Sequence, residues 1–193
     1  GLDRAVTLAG DVERLYRVEV DAGETLRVRL AGGDALSPNE VFVKAGRPPT
    51  QADFDASHET VFGTVQDAVI SSTEAGSYYI LVRGFGGDGS SEDMTLRADV
   101  LPFQITRVSP DQGGAARFVT MTLDGAGILP GAVAKLSRPG VAEYLPVSVK
   151  RVDATRMIAT FDLMDAPHGL YDVVVTNADG QEAILPYRYL VER

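Results

Sequence analysis

Apolar side chains recur at every second position through most of this chain, and that period commits it to extended strands. In "YRVEV" Tyr16, Val18 and Val20 fall on one face, and in "TLRVRL" Leu26, Val28 and Leu30 oppose Arg27 and Arg29. A strand alternates its side chains between two faces, so such stretches bury one face and wet the other. The alternation returns in "MTLRADV" (Met94, Leu96, Ala98, Val100), "FVTMTLDG" (Val119, Met121, Leu123) and "MIATFDL" (Met157, Ala159, Phe161, Leu163). The denser runs "SYYILV" and "YDVVVT" predict central strands covered on both faces.

Turn signals separate these runs: "DAGE" at 21–24, "AGGD" at 31–34, "EAGS" at 74–77, "PDQGG" at 110–114, "LPG" at 129–131 and "NADG" at 177–180. Many short strands at this spacing predict an all-β chain of sandwiches or barrels rather than a parallel α/β sheet. The best place for any helix is a short turn in "TQADFDAS", 50–57. With 193 residues, 45 % of them apolar, the chain has room for two cores. Residues 1–101 carry 9 Lys and Arg against 17 Asp and Glu, whereas residues 102–193 carry 9 against 10. That asymmetry, with Pro102 interrupting "LPFQITRVSP", predicts two domains, 1–101 and 102–193.

Composition narrows the function. A formal charge of -9 disfavours nucleic acid, whose recognition relies on clustered Lys and Arg. The absence of cysteine removes disulfides, thiolate metal sites and thiol nucleophiles. No apolar run approaches the roughly 18 residues that span a bilayer, so no membrane insertion is expected. The N-terminus shows no basic-then-apolar signal pattern either, which is what a piece of a longer precursor would show.

Two acid groups and a few aromatics are the candidate binding residues. In "GFGGDGSSED" Asp88, Glu92 and Asp93 offer hard oxygen ligands on a glycine-rich turn whose carbonyls can join them, as calcium requires. The same residues also read as a hydrated hairpin turn, since "DGSSED" lacks the spacing of a helix-loop-helix calcium loop. Asp34, Asn39, Glu40, Asp53 and Asp55 form the second group, with Glu40 and Asp34 its metal candidates and surface charge the competing reading. Tyr78, Tyr79 and Phe85 are the candidate ligand-binding aromatics; alternation sends one of the two adjacent tyrosines away from the core. Tyr144, Tyr187 and Tyr189 are expected to cover the second sandwich. No catalytic residue is assigned: His58 and His168 lie in turn-like stretches with no nucleophile motif.

Three ordered blocks, "YRVEVDAGETLRVRLAGG", "NEVFVKAGRPPTQADFDAS" and "EAGSYYILVRG", resemble the bacterial pre-peptidase C-terminal (PPC) domain, a jelly-roll-like β-sandwich appended to secreted peptidases. Calcium-binding collagen-binding domains share that sandwich, so the resemblance implies that some of the carboxylates converge on an ion. From about residue 103, "ITRVSPDQGG", "VTMTLDGAGILPGAVAKL" and "APHGLYDVVVTNADGQEAIL" resemble a TIG/IPT-type immunoglobulin-like domain. Together they imply a non-catalytic accessory pair of a larger secreted or surface-attached bacterial protein. Its work would be adhesion, substrate targeting or spacing, its partner a protein or polysaccharide surface or a linked catalytic domain, and calcium its one candidate cofactor. The alternative is a peptidase-associated fragment that aids folding of, or inhibits, a catalytic domain outside this chain.

Overall fold

The computed structural model describes residues 1–9, 12–32, 39–59, 63–84, 91–114 and 117–192. All of its regular elements are strands. Two compact units divide the chain, Gly1–Leu101 and Pro102–Arg193, each with a core of its own.

The first unit contains β1 (Leu2–Ala9), β2 (Glu13–Val20), β3 (Thr25–Gly32), β4 (Glu40–Ala45), β5 (Ala56–Ser57), β6 (Val65–Ile70), β7 (Gly76–Arg83) and β8 (Ser91–Leu101). They make two antiparallel sheets, β1-β8-β3-β6 and β2-β7-β4-β5. The chain changes sheet at every step except β4 to β5, which is the weave of a jelly roll. Leu26, Val28, Leu30, Met94, Leu96 and Ala98 meet Val18, Val20, Val41, Val43, Tyr78, Ile80 and Val82 in the core, while Val100 stays exposed. Each fully buried Leu or Ile contributes about 2 kcal/mol.

The "DAGE" turn between β2 and β3 is tied to the segment ahead of β7. The buried Thr73 hydroxyl accepts the Glu24 N–H at 3.0 Å and donates to the Asp21 carbonyl at 2.5 Å. Gly23 occupies φ +84° in this turn, a conformation where a side chain is strained.

Segment 50–57 holds no helix: Thr50–Asp53 is a turn and Ala56–Ser57 is strand β5. Thr50 and Asp53 exchange two main-chain hydrogen bonds, at 2.9 and 3.2 Å. Pro49 biases Pro48 to extended backbone, and the reciprocal Thr50–Asp53 bonds close a tight turn where a helical turn would have to begin.

The second unit contains β9 (Gln104–Ser109), β10 (Gln112–Gly113), β11 (Phe118–Ala126), β12 (Val133–Arg138), β13 (Ala142–Tyr144), β14 (Pro146–Asp153), β15 (Arg156–Asp162), β16 (Gly169–Thr176) and β17 (Glu182–Val191). One sheet runs β9-β11-β15-β14 and the other β10-β17-β16-β12-β13, with β10 parallel to β17. Met121, Leu123, Met157, Ala159 and Phe161 from the first sheet face Leu136, Tyr171, Val173, Val175 and Tyr189 from the second. The loop after β16 is anchored by Asn177, which is buried. Its amide donates to the Gly127 carbonyl at 2.9 Å, and its side-chain oxygen accepts the Leu129 N–H at 3.0 Å.

Candidate functional site

The outer face of the β2-β7-β4-β5 sheet is not uniformly polar. Cross-strand register stacks three rows on it: Glu13, Arg83 and Glu40; then Leu15, Leu81 and Phe42; then Arg17, Tyr79 and Lys44. An apolar row thus lies between two charged ones, with Leu15 half-exposed at its free end. The segment after β4 folds over this face. Gly46 turns the chain at φ +73°, and Pro48 and Pro49 carry it across.

Ion pairs latch that segment down. Lys44 reaches Asp53 at 2.7 Å and Asp55 at 3.3 Å, Arg47 reaches Asp53 at 2.7 Å, and the Ala45 N–H donates to Asp55 at 2.8 Å. The hydrogen bond from Lys44 holds the Asp53 carboxyl below its ordinary range, and the same bond raises Lys44. Beneath the latch Phe42 packs against Phe54 at 5.2 Å and edge-on to His58 at 5.6 Å.

The result is an open concavity of about 560 Å³, in the size range of ligand clefts. Leu15, Leu81, Pro48 and Pro49 give it an apolar floor and wall, and Arg83 stands at one end between Glu13 and Glu40, each 3.9 Å away. The lining thus offers apolar contact beside a guanidinium, a group that can donate paired hydrogen bonds to a carbonyl or carboxylate.

The residues singled out in the sequence scatter over this frame. Asp34, Phe85 and Asp88 lie outside the described residues. Glu92 and Asp93 are successive on β8 and point to opposite faces. Glu92 turns inward and accepts from Asn39 at 3.1 Å, whereas Asp93 points outward to Thr7 at 2.8 Å. Glu40 faces Arg83 and Gln51 instead of another acid. Asp53 and Asp55 serve the latch. Among the described residues no three of His, Asp and Glu come together as a metal-holding group.

The adjacent tyrosines part as alternation requires. Tyr78 is buried, its hydroxyl accepting the Glu74 N–H at 2.9 Å, and Tyr79 lies on the outer face in the row with Arg17 and Lys44. Tyr144, Tyr187 and Tyr189 do not act together. Tyr189 is in the core and Tyr144 packs on Tyr171 at 6.0 Å, but Tyr187 is 72 % exposed. Among the described residues both histidines bond to main chain: Nδ1 of His58 lies 3.3 Å from the Val41 main chain, and Nδ1 of His168 lies 2.7 Å from the Val191 carbonyl.

The apolar row escaped the sequence reading because register, not composition, assembles it. One signal was visible: Leu15 breaks the phase of "ERLYRVEV" by placing an apolar residue among Glu13, Arg17 and Glu19.

Residues 13–84 match the family model of the bacterial pre-peptidase C-terminal domain. That span runs from the start of β2 to just past β7 and contains the lining of the concavity. No curated protein matches the chain. Among solved structures, PliG from Aeromonas hydrophila, a periplasmic inhibitor of g-type lysozyme, aligns at 17 % identity and a TM-score of 0.41. The alignment covers 52 % of this chain and 85 % of that one.

Proposed function

We propose that this chain is a non-catalytic accessory pair of a larger secreted or surface-attached bacterial protein, and that its first unit holds an extended polypeptide in the Leu15–Leu81–Pro48–Pro49 concavity. The observation that carries this reading is an apolar row on an otherwise charged outer face, roofed by a latched loop. What distinguishes this face from a spacer's is the whole apolar row with the loop beside it, not the single half-exposed Leu15. The family match supports the accessory role, since the family's name ties it to peptidases, and the held polypeptide is then a substrate or a segment of a linked catalytic domain. For the second unit we take the TIG/IPT-type immunoglobulin-like reading, supported by its strand order and its "GLYDVVVTNADG" hairpin.

Calcium remains a proposal for the turn before β8. Among the described acids of that stretch, Glu92 turns inward and Asp93 outward, so Glu92 is the candidate ligand carried forward.

The test of the docking reading is retention of the full chain on immobilised denatured collagen and casein, compared with Leu15→Asp. Leu15 lies at the surface, so this variant is expected to fold as the parent does and to lose retention. Equal retention of both proteins removes the concavity from the reading, and hydrolysis of either substrate by the parent overturns the non-catalytic role.

A further inference from the structure

On the second unit, strand β17 carries two extra residues against β16: Tyr171 pairs with Tyr189, yet Val173 pairs with Leu185. The bulge is fixed by chemistry at both ends. Pro186 has no N–H to give a ladder, and the N–H of Tyr187 is drawn to the Asp172 carboxylate at 2.8 Å. Tyr187 thereby sits at φ +51°, where a side chain is disfavoured, and its ring is set out toward solvent. Backbone strain that exposes an aromatic ring in place of burying it is characteristic of binding positions.

The ring borders a second open concavity, of about 550 Å³, with Leu170, Pro139, Asp172 and Arg138 around it. Both charged groups are held in place. Arg138 donates to the His168 carbonyl at 2.8 Å, and its guanidinium occupies the space a side chain at Gly169 would fill, with a Cβ there only 2.6 Å from Nη1. Asp172 is oriented by the Tyr187 N–H.

We infer that this concavity is a saccharide-binding site for a neutral polysaccharide chain, with Tyr187 as its stacking platform and Asp172 and Arg138 as the flanking groups that read ring hydroxyls. An exposed ring matches the C–H face of a sugar. A carboxylate accepts from adjacent hydroxyls, and a guanidinium fork donates to them. One fixed acid and one fixed base leave no net charge at the site, which disfavours a phosphorylated or strongly charged ligand and suits an uncharged one. Alternation alone makes Tyr187 a covering aromatic; the sign of its outward turn in the chain is Pro186 inside an alternating strand.

The test is affinity electrophoresis of the full chain in native gels containing xylan, barley β-glucan, galactomannan or amylose. Tyr187→Gly is the decisive variant, because glycine accepts φ +51° and removes only the ring. Retardation by at least one polysaccharide is expected, weakened about tenfold in Tyr187→Gly and kept in Tyr187→Phe. Arg138→Ala should weaken it as well. No retardation in any of the four gels overturns the assignment, as does retardation that Tyr187→Gly leaves intact. Binding of poly-L-proline with the same Tyr187 dependence, and of no polysaccharide, overturns it in favour of a polypeptide.

Discussion

Tyr171 and Tyr189 face each other across β16 and β17, both fully buried, and their hydroxyls fare differently. Tyr171 donates to the Pro167 carbonyl, four residues upstream, at 2.9 Å. The Tyr189 hydroxyl meets no partner among the described residues. A buried polar group costs free energy when unpaired and contributes when paired, so the two phenylalanine replacements should differ in sign. Tyr171→Phe is expected to lower stability by about 1–2 kcal/mol and Tyr189→Phe to leave it level or raise it by up to about 1 kcal/mol. Urea unfolding at constant slope checks both.

Burial, aided by Glu192 and Asp111, pushes the Tyr189 hydroxyl up to about 12. An unfolded tyrosine ionises near pH 10, so between about 10 and 12 the unfolded chain gives up this proton first. Stability should therefore decline across that window, and the decline should shrink in Tyr189→Phe. Tyrosinate absorbance of the folded chain, compared between parent and variant, reads the same group directly.

Asn177 joins the turn after β16 to the loop after β11 through two hydrogen bonds made by one buried side chain. Asn177→Ala leaves the Leu129 N–H and the Gly127 carbonyl without that partner, and about 2–4 kcal/mol of stability should go with it. Hydrogen exchange at Leu129 is the local readout. Unchanged protection there would mean that the loop keeps its place without the amide.

Much of this was legible because burial follows phase. Leu26, Val28 and Leu30, or Met157, Ala159 and Phe161, are buried for the reason their spacing gives: alternate residues share a face. The sites were less legible. Leu15, Leu81 and Phe42 become neighbours only through the register of three strands, two of them far apart in sequence. Glu92 and Asp93 look like a pair in one dimension and separate in three, because adjacency along a strand means opposite faces. Tyr187 reads as one more covering aromatic until the bulge turns it outward.

On the β9-β11-β15-β14 sheet, Asp124 lies between Arg156 at 2.6 Å and Arg107 at 2.8 Å, on the two strands flanking its own. Burial works against its charge, but the two guanidiniums outweigh that and hold its carboxyl below the ordinary range. A depressed carboxyl stabilises the fold above the unfolded value, near pH 4, and the contribution is lost as pH falls through the folded value. Asp124→Asn should therefore cost about 1 kcal/mol at neutral pH. The gap to the parent should close well below pH 4, and acid titration of the two unfolding midpoints measures it.

Glu92 and Asp93 give the calcium proposal a discriminating test, because Glu92 turns inward to Asn39 and Asp93 outward to Thr7. Without added ion, Glu92→Ala should cost stability, since Asn39 is buried and loses an acceptor, whereas Asp93→Ala removes only an exposed bond to Thr7. An ion that binds only the folded chain, at a hundred times its dissociation constant, adds about 2.7 kcal/mol. If the turn holds calcium through Glu92, the midpoint of thermal unfolding rises in excess calcium over chelator in the parent and in Asp93→Ala, and the rise vanishes in Glu92→Ala. Equal midpoints in calcium and chelator for all three proteins would leave Glu92 a structural residue bonded to Asn39 and overturn the calcium proposal.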